Sequence, residues 1–384
     1  MNVLIQNPYM KAGGAENRIR LLIESLVNMP DITVHFMFTG EKTAHNIQAK
    51  EKFHLWQIRK ENVLGATKNI IRDYDIDIVQ LHNNQLIGTK GIEYAQSIGL
   101  PTVWVMHDFW TLCYNRFMTK PFEATTSEIC HKINKEKCID CVGYFNWYYT
   151  KKQREIVNNC DIGIVPSPRI KKIFENNNFL LGKLKIIEPW IDLDTFHPTG
   201  EPRDSWKVFF AGNYIPHKGV RVLLRSWIIV QKILPMAKLF IQGDYRMQAE
   251  TVQIIKNLKL RNIIMLNHMP KEQLRSHYNT SSITVFPSIW EETFGQIWAE
   301  SLACGTPVIA SKTGGIADLM KEGGVFFEPR NHVELAENII DLLLTPSKRQ
   351  ELALKGYDYV RERFNKDRAG VEFTNLYHRL EAKI

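Results

Sequence analysis

No apolar run in the 384 residues approaches the ~20 needed to cross a bilayer. The opening Met1-Asn2-Val3-Leu4-Ile5-Gln6 reads directly as a strand, without the basic stretch and long apolar core of a signal peptide. The expected location is therefore cytoplasmic, at most peripheral at the inner face of the cell membrane. Cysteine is sparse, six residues at irregular intervals, and in that compartment thiols or metal ligands are expected before disulfides. There is no G-x-G-x-x-G and no acid ending a second strand to hold an adenosine ribose, which disfavours a nicotinamide enzyme. RRM, KH and helix-turn-helix patterns are missing too. The net charge of +8 is spread over both halves with acids interleaved, so it points away from nucleic acid and toward anionic donors beside anionic lipid.

What is present is a soluble globular composition, 44% hydrophobic and 23% charged, long enough for two domains with separate cores. The most informative stretch runs from Phe286 to Ala310. Residues 282–286 are β-branched and apolar, a short buried strand, and 296–304 carry apolar residues at helical spacing before Gly305-Thr306-Pro307 stops them. The run between, Pro287-Ser288-Ile289-Trp290-Glu291-Glu292-Thr293-Phe294-Gly295, is a loop entering a helix N-terminus, a place that favours anions. Glu291 and Glu292 read most simply as helix caps. That does not cover Glu300, placed two turns along the helix on roughly the face of Glu292. Two acceptors about 10 Å apart on one face suit a polyhydroxylated ligand.

Elsewhere strands alternate with helical segments, at 34–38, 54–58, 76–81 and 102–106, the pattern of a parallel doubly wound sheet. Lys11-Ala12-Gly13-Gly14-Ala15-Glu16 forms a glycine turn between the first strand and a helix, open to a phosphate or simply a turn. His82-Asn83-Asn84 and His107-Asp108-Phe109-Trp110 sit at strand carboxyl ends, where such sheets bind ligands. Residues 109–149 break the alternation. They hold Cys113, Cys130, Cys138 and Cys141, the last two at structural-zinc spacing, with free thiols or disulfides as alternatives, and the aromatics Tyr144, Phe145, Trp147, Tyr148 and Tyr149, suited to core, sugar or lipid. Asp192-Leu193-Asp194 has D-x-D form but lies in a linker, and no catalytic metal is expected. Lys218, before Gly219 at a helix start, opposes the helix dipole, which makes it a natural partner for a diphosphate.

Glu292-x7-Glu300, with Phe294-Gly295 inside it and Gly305-Thr306-Pro307-Val308-Ile309-Ala310 after it, resembles the signature of retaining GT-B glycosyltransferases, family 4 in particular. The likeness extends to the Gly13-Gly14 turn, His107-Asp108, the 188–198 linker and Lys218-Gly219. It departs at Pro189-Trp190, where the family usually has Asn-Gly, and at Asn213, where it usually has arginine.

The resemblance implies an α/β GT-B fold of two Rossmann-like domains facing a cleft: 1–198 on the acceptor side, 199–364 on the nucleotide-sugar side, and 365–384 packing back on the first. It implies a retaining hexosyltransferase moving a sugar from a nucleotide-diphosphate donor to a glycan or lipid-linked hydroxyl, in polysaccharide or glycoconjugate synthesis, without a required cofactor. His107, Glu292 and Lys218 are the expected catalytic residues. Gly13, Gly14, Asn213, Lys218, His268, Met269, Glu292, Thr293, Phe294, Gly295 and Glu300 are expected at the donor, and His107, Asp108 and Trp110 at the acceptor. Structural zinc, if bound, would use Cys113, Cys130, Cys138 and Cys141. A nucleotide-sugar epimerase or phosphorylase and a non-catalytic sugar-binding scaffold are the alternatives.

Overall fold

The computed structural model describes residues 1–9, 13–39, 52–83, 87–119, 129–243 and 248–382, so Lys11, Ala12 and Asn84 of the sequence motifs lie outside the described residues. The chain divides into two compact units, Met1–Trp190 with Lys366–Ile384, and Ile191–Asn365.

The first unit holds a sheet of β1 (Asn2–Gln6), β2 (Thr33–Phe38), β3 (Phe53–Gln57), β4 (Ile78–Leu81), β5 (Thr102–Val105), β6 (Ile162–Val165) and β7 (Leu184–Ile186), in the order β3-β2-β1-β4-β5-β6-β7. Every pairing is parallel. Parallel strands need crossover helices, and those helices cover both faces. Hence the central strands are nearly continuous apolar runs, and Val3, Leu4 and Ile5 are fully buried. Helix α1 (Gly14–Val27) presents Ile19, Leu22, Ile23 and Leu26 at helical spacing to the core that Val3, Ile5 and Ile78 also enter. The crossovers continue with α2 (Val63–Asp73) and α3 (Lys90–Ser97). Between β5 and β6 lie α4 (Lys135–Val142) and α5 (Tyr144–Val157), so the irregular segment expected to end at 149 instead ends inside a helix. Helix α6 (Pro168–Glu175) starts as its sequence dictates, with Ser167 accepting from the Ile170 N–H and proline in the first turn.

The second unit repeats the plan. Strands β8 (Asp204–Ala211), β9 (Lys238–Gln242), β10 (Ile263–Leu266), β11 (Ser281–Phe286), β12 (Val308–Ser311) and β13 (Gly324–Phe327) form a sheet in the order β10-β9-β8-β11-β12-β13. Its pairings are parallel as well. The helices are α7 (Val220–Ile233), α8 (Gln248–Asn257), α9 (Lys271–Asn279), α10 (Gln296–Ala303), α11 (Ile316–Leu319), α12 (His332–Leu344) and α13 (Pro346–Arg363). The order reverses between β1 and β4 in the first sheet and between β8 and β11 in the second. In open sheets of this kind ligands bind at that switch, beyond the strand carboxyl ends.

The unit boundary falls at Trp190–Ile191, ahead of the expected 198, because Ile191 and Phe196 are buried in the second unit's core while Trp190 is buried in the first. Trp190 Nε1 donates to the Arg18 carbonyl at 2.8 Å, and its ring meets Phe373 edge-on. Phe373 belongs to α14 (Lys366–Glu381), the terminal helix, which packs beside α1 in that unit. The departure from Asn-Gly at this point thus supplies an anchor rather than a tight turn. Trp190→Ala is expected to cost about 3–5 kcal/mol; in a urea titration the transition of the first unit should move to lower concentration while that of the second stays.

Candidate functional site

In the second unit the switch point is occupied by the loops after β8, β11 and β12. Lys218 follows β8 and Glu292 follows β11, and the Lys218 ammonium lies 2.6 Å from Glu292 Oε2. The same oxygen accepts from Trp290 Nε1 at 2.9 Å and the Ser288 hydroxyl at 3.3 Å. The Lys218 side chain remains 22% exposed against 8% for Glu292, so a ligand reaches the cation before the anion. Lys218 also stands 5.6 Å from the Trp290 ring centre, within cation–π range.

This contact depends on backbone that only glycine tolerates. Gly219 has φ +76° and caps α7, and a Cβ there would overlap the Pro287 carbonyl. Gly314 has φ +58° and lies against the Glu292 backbone; its N–H donates to Glu291 Oε2 at 2.9 Å, and the Gly315 N–H donates to the Glu292 carbonyl at 2.7 Å. The loop 313–315 therefore clasps the loop 290–293.

Neither acid caps α10. Gly295 occupies the N-cap at φ +70° with no side-chain cap bond, so Glu292 is a loop residue and the shared helix face expected for Glu292 and Glu300 does not exist. Glu300, on α10, is buried and accepts from the Tyr278 hydroxyl at 3.1 Å. Burial above all, with the Asp192 charge adding, pushes its carboxyl up to about 7, against the hydrogen bond from Tyr278 and the Lys271 charge. Phe294 is a core residue, edge-on to Trp298, and only its backbone is available to a ligand. Thr293 is buried beside it, and Asn213 lies after β8. His268 and Met269 follow β10, two strands from β8; His268 is exposed. Asp192 accepts from the Thr195 N–H and pairs with Lys271 at 3.1 Å, the duties of a turn residue.

In the first unit, Gly13 caps α1, whose second turn brings Arg18 to His107, with Arg18 Nη2 2.9 Å from His107 Nδ1. On the far side of the ring, His82 Nδ1 stands 2.8 Å from His107 Nε2. The residues after β1, β4 and β5 are thereby joined at the first switch point. Burial and the Arg18 charge hold His107 well below the usual imidazole range and His82 down at about 3. Asp108 accepts from the Trp110 N–H at 2.8 Å, and burial raises its carboxyl. A small pocket here is lined by His82, Asn83, His107, Asp108, Trp110 and Thr111 among others. Trp110 Nε1 and the Thr111 hydroxyl, on two of the lining residues, are buried without a hydrogen-bond partner among the described residues.

The cysteines do not assemble as expected for zinc. Among the described residues no group of three or more His, Cys, Asp or Glu side chains could hold a metal ion, and no two cysteines form a disulfide. Asn115 Nδ2 meets Cys141 Sγ at 3.5 Å, and burial, with the neighbouring Cys141 and Cys130 adding, pushes the Cys113 thiol up to about 11.

Two family models match, Glycosyltransferase Family 4 over residues 12–195 and Glycosyl transferases group 1 over 194–359. The chain belongs to the GT-B glycosyltransferases of family 4 type. An uncharacterized glycosyltransferase of Methanocaldococcus jannaschii is 24% identical over 94% of this chain and 93% of its own. A D-inositol 3-phosphate glycosyltransferase of Thermomonospora curvata is 27% identical over 44% of this chain. That match and one to a second uncharacterized M. jannaschii glycosyltransferase span about half of those relatives' length, 46% and 56%. Among solved structures, sucrose-phosphate synthase of Thermosynechococcus elongatus superposes with TM-score 0.77 at 20% identity, covering 100% of both chains. Anabaena HepE in complex with UDP gives 0.76 at 16%, covering 98% and 99%.

The motifs led to Lys218, Glu292, Glu300 and His107. Sequence reasoning passed over Arg18, Trp290, Ser288 and Tyr278, and left His82 without a role; their only signal was proximity to a motif or to a strand end. Gly219→Ala is expected to destabilise the second unit by more than about 1 kcal/mol and to weaken binding of a nucleotide diphosphate, read by denaturant titration and calorimetry. Glu300 has a raised folded-state pKa, so its contribution to stability is complete below the unfolded value of 4.5 and is lost as pH rises through about 7. Glu300→Gln should therefore melt higher than the native chain at pH 8.5 and no higher at pH 4.

Proposed function

We propose that this glycosyltransferase transfers a hexose from a nucleotide-diphosphate donor to an acceptor hydroxyl with retention, through the Lys218–Glu292 pair. That contact, a 2.6 Å ion pair at the switch point of the second sheet, carries the reading. As the sugar–phosphate bond breaks, charge accumulates on the diphosphate, and catalysis rests on cations and N–H groups already aimed at it. Lys218 is such a cation. Held by Glu292 before the donor arrives, it exchanges a carboxylate for phosphate, which releases Glu292 to accept from sugar hydroxyls. Backbone N–H groups of Phe294 and Gly295, at the start of α10, add to the phosphate site. Glu300 would take the ribose hydroxyls, whose donation favours its ionised form; Tyr278 orients it. Thr293 lies beside the sugar site, Asn213 near the phosphates in place of the family's arginine, and His268 and Met269 by the base. The complexes of HepE with UDP and with UDP-glucose support a uridine donor.

Acceptor recognition falls to His107, Asp108 and Trp110. The buried Trp110 Nε1 supports this, since a donor in a polar pocket matches the oxygen of a hydroxyl. A lipid-linked acceptor is favoured by α5, whose solvent face carries Phe145 at 85% and Tyr144 at 54% exposure, followed two turns on by Lys151 and Lys152. Aromatic side chains beside lysines on one helix face suit an anionic bilayer surface. Among the described residues no helix is long and apolar enough to cross a membrane.

Lys218→Ala and Glu292→Ala should each lower kcat by about 10²–10³ while circular dichroism stays native, measured with UDP-glucose and a panel of lipid-linked and glycan acceptors. Full activity in either variant would overturn the assignment. Incubation with donor alone separates the alternatives, since an epimerase makes an epimer and a scaffold binds without turnover. Phe145→Ser with Lys152→Glu should reduce sedimentation with phosphatidylglycerol vesicles and leave the melting curve unchanged; equal sedimentation would exclude α5 as a membrane contact.

A further inference from the structure

Both ring nitrogens of His107 are engaged, and the chemistry of the partners fixes where the proton sits. A guanidinium offers only donors, so Arg18, 2.9 Å away, makes Nδ1 of His107 an acceptor. A charged imidazolium would place a second donor against that cation, so the ring is neutral with its one proton on Nε2. That N–H points at His82 Nδ1, 2.8 Å distant, which must accept it. The proton of His82 then lies on Nε2, 2.7 Å from the Gln80 amide. Gln80 has its nitrogen placed toward His82 and its oxygen 2.8 Å from the Tyr377 hydroxyl. A half-turn of the amide exchanges the two ends in place, and the donor sense that starts at Arg18 requires the exchanged orientation.

We propose that Arg18, His82 and Gln80 are positioning residues that lock His107 in a single neutral tautomer, protonated on Nε2, so that its side chain cannot act as general base. All four side chains are buried, and Tyr377 brings the terminal helix to the far end of the chain of contacts. The other charges around Arg18 are Glu16, Asp108 and Arg116, two acids and one base, and Arg18 itself brings the four to neutrality when all are ionised. The role of His107 beside the acceptor rests on the functional reading above; the tautomer does not, and it is measured separately.

The test uses the full chain with ¹⁵N-labelled histidine and long-range proton–nitrogen correlation spectra between pH 5.5 and 8. His107 and His82 are both expected as Nε2–H rings whose shifts do not move over that range. In Arg18→Leu, His107 should populate both tautomers, whereas Arg18→Lys, which keeps a donor facing Nδ1, should restore the single Nε2–H form. An Nδ1–H ring at His107 in the native chain, titration of it within that range, or an Arg18→Leu spectrum identical to the native one would each overturn the proposal. Should Arg18→Leu fail to fold, the native tautomer decides alone. Loss of transfer in Arg18→Lys with the tautomer intact would count against the acceptor reading and leave the lock standing.

Discussion

The second unit is built to keep an ammonium where a helix start disfavours one. The free N–H groups and positive end of the α7 dipole repel Lys218. What holds it there is the Glu292 carboxylate, itself fixed by Trp290 and Ser288. Taking both charges partly out of water is costly, and the contact is sustained by hydrogen bonds to the one oxygen they share. A ligand carrying two negative phosphates answers the unfavourable side of that balance directly. The pair thus describes the site in its resting form and the chemistry that would displace it.

Sheet topology makes such a site possible twice in one chain. Each sheet reverses its strand order once, and at each reversal loops from separated stretches of sequence converge. In the second unit they bring a cation to an anion. In the first they bring a guanidinium to an imidazole, and that imidazole to another. The contrast is one of charge: one site keeps a compensated pair close to solvent, the other keeps two neutral rings under a buried cation. The fold supplies two similar frames, and the side chains at the strand ends decide what each does.

Much of this was legible in the chain. Alternating apolar runs gave both parallel sheets; Lys218 stood out because a cation at a helix start lacks a structural excuse, and Glu292 and His107 stood out through the motifs they share with the family. Arg18 did not stand out, since an arginine in the first turns of an amphipathic helix looks like a solvated charge; its burial follows from packing against residues 89 positions away. Trp290 and Ser288 looked like loop filler until the loop closed on Glu292. Glu292 and Glu300 were read onto one helix face because spacing alone cannot show that Gly295 breaks the helix between them. The cysteine spacing left zinc, free thiols and disulfides open, because C-x-x-C fixes the separation of two sulfurs while a metal site needs others brought to them.

The sequence by itself determined the class of fold, the family and the residue types at the strand ends, because local periodicity and short motifs are properties of neighbouring residues. Only the tertiary structure decided which of those residues meet. A hydrogen bond or ion pair depends on ångström distances between atoms, and for Lys218 with Glu292 or Arg18 with His107 those distances are set by how strands far apart in the chain are ordered in the sheet.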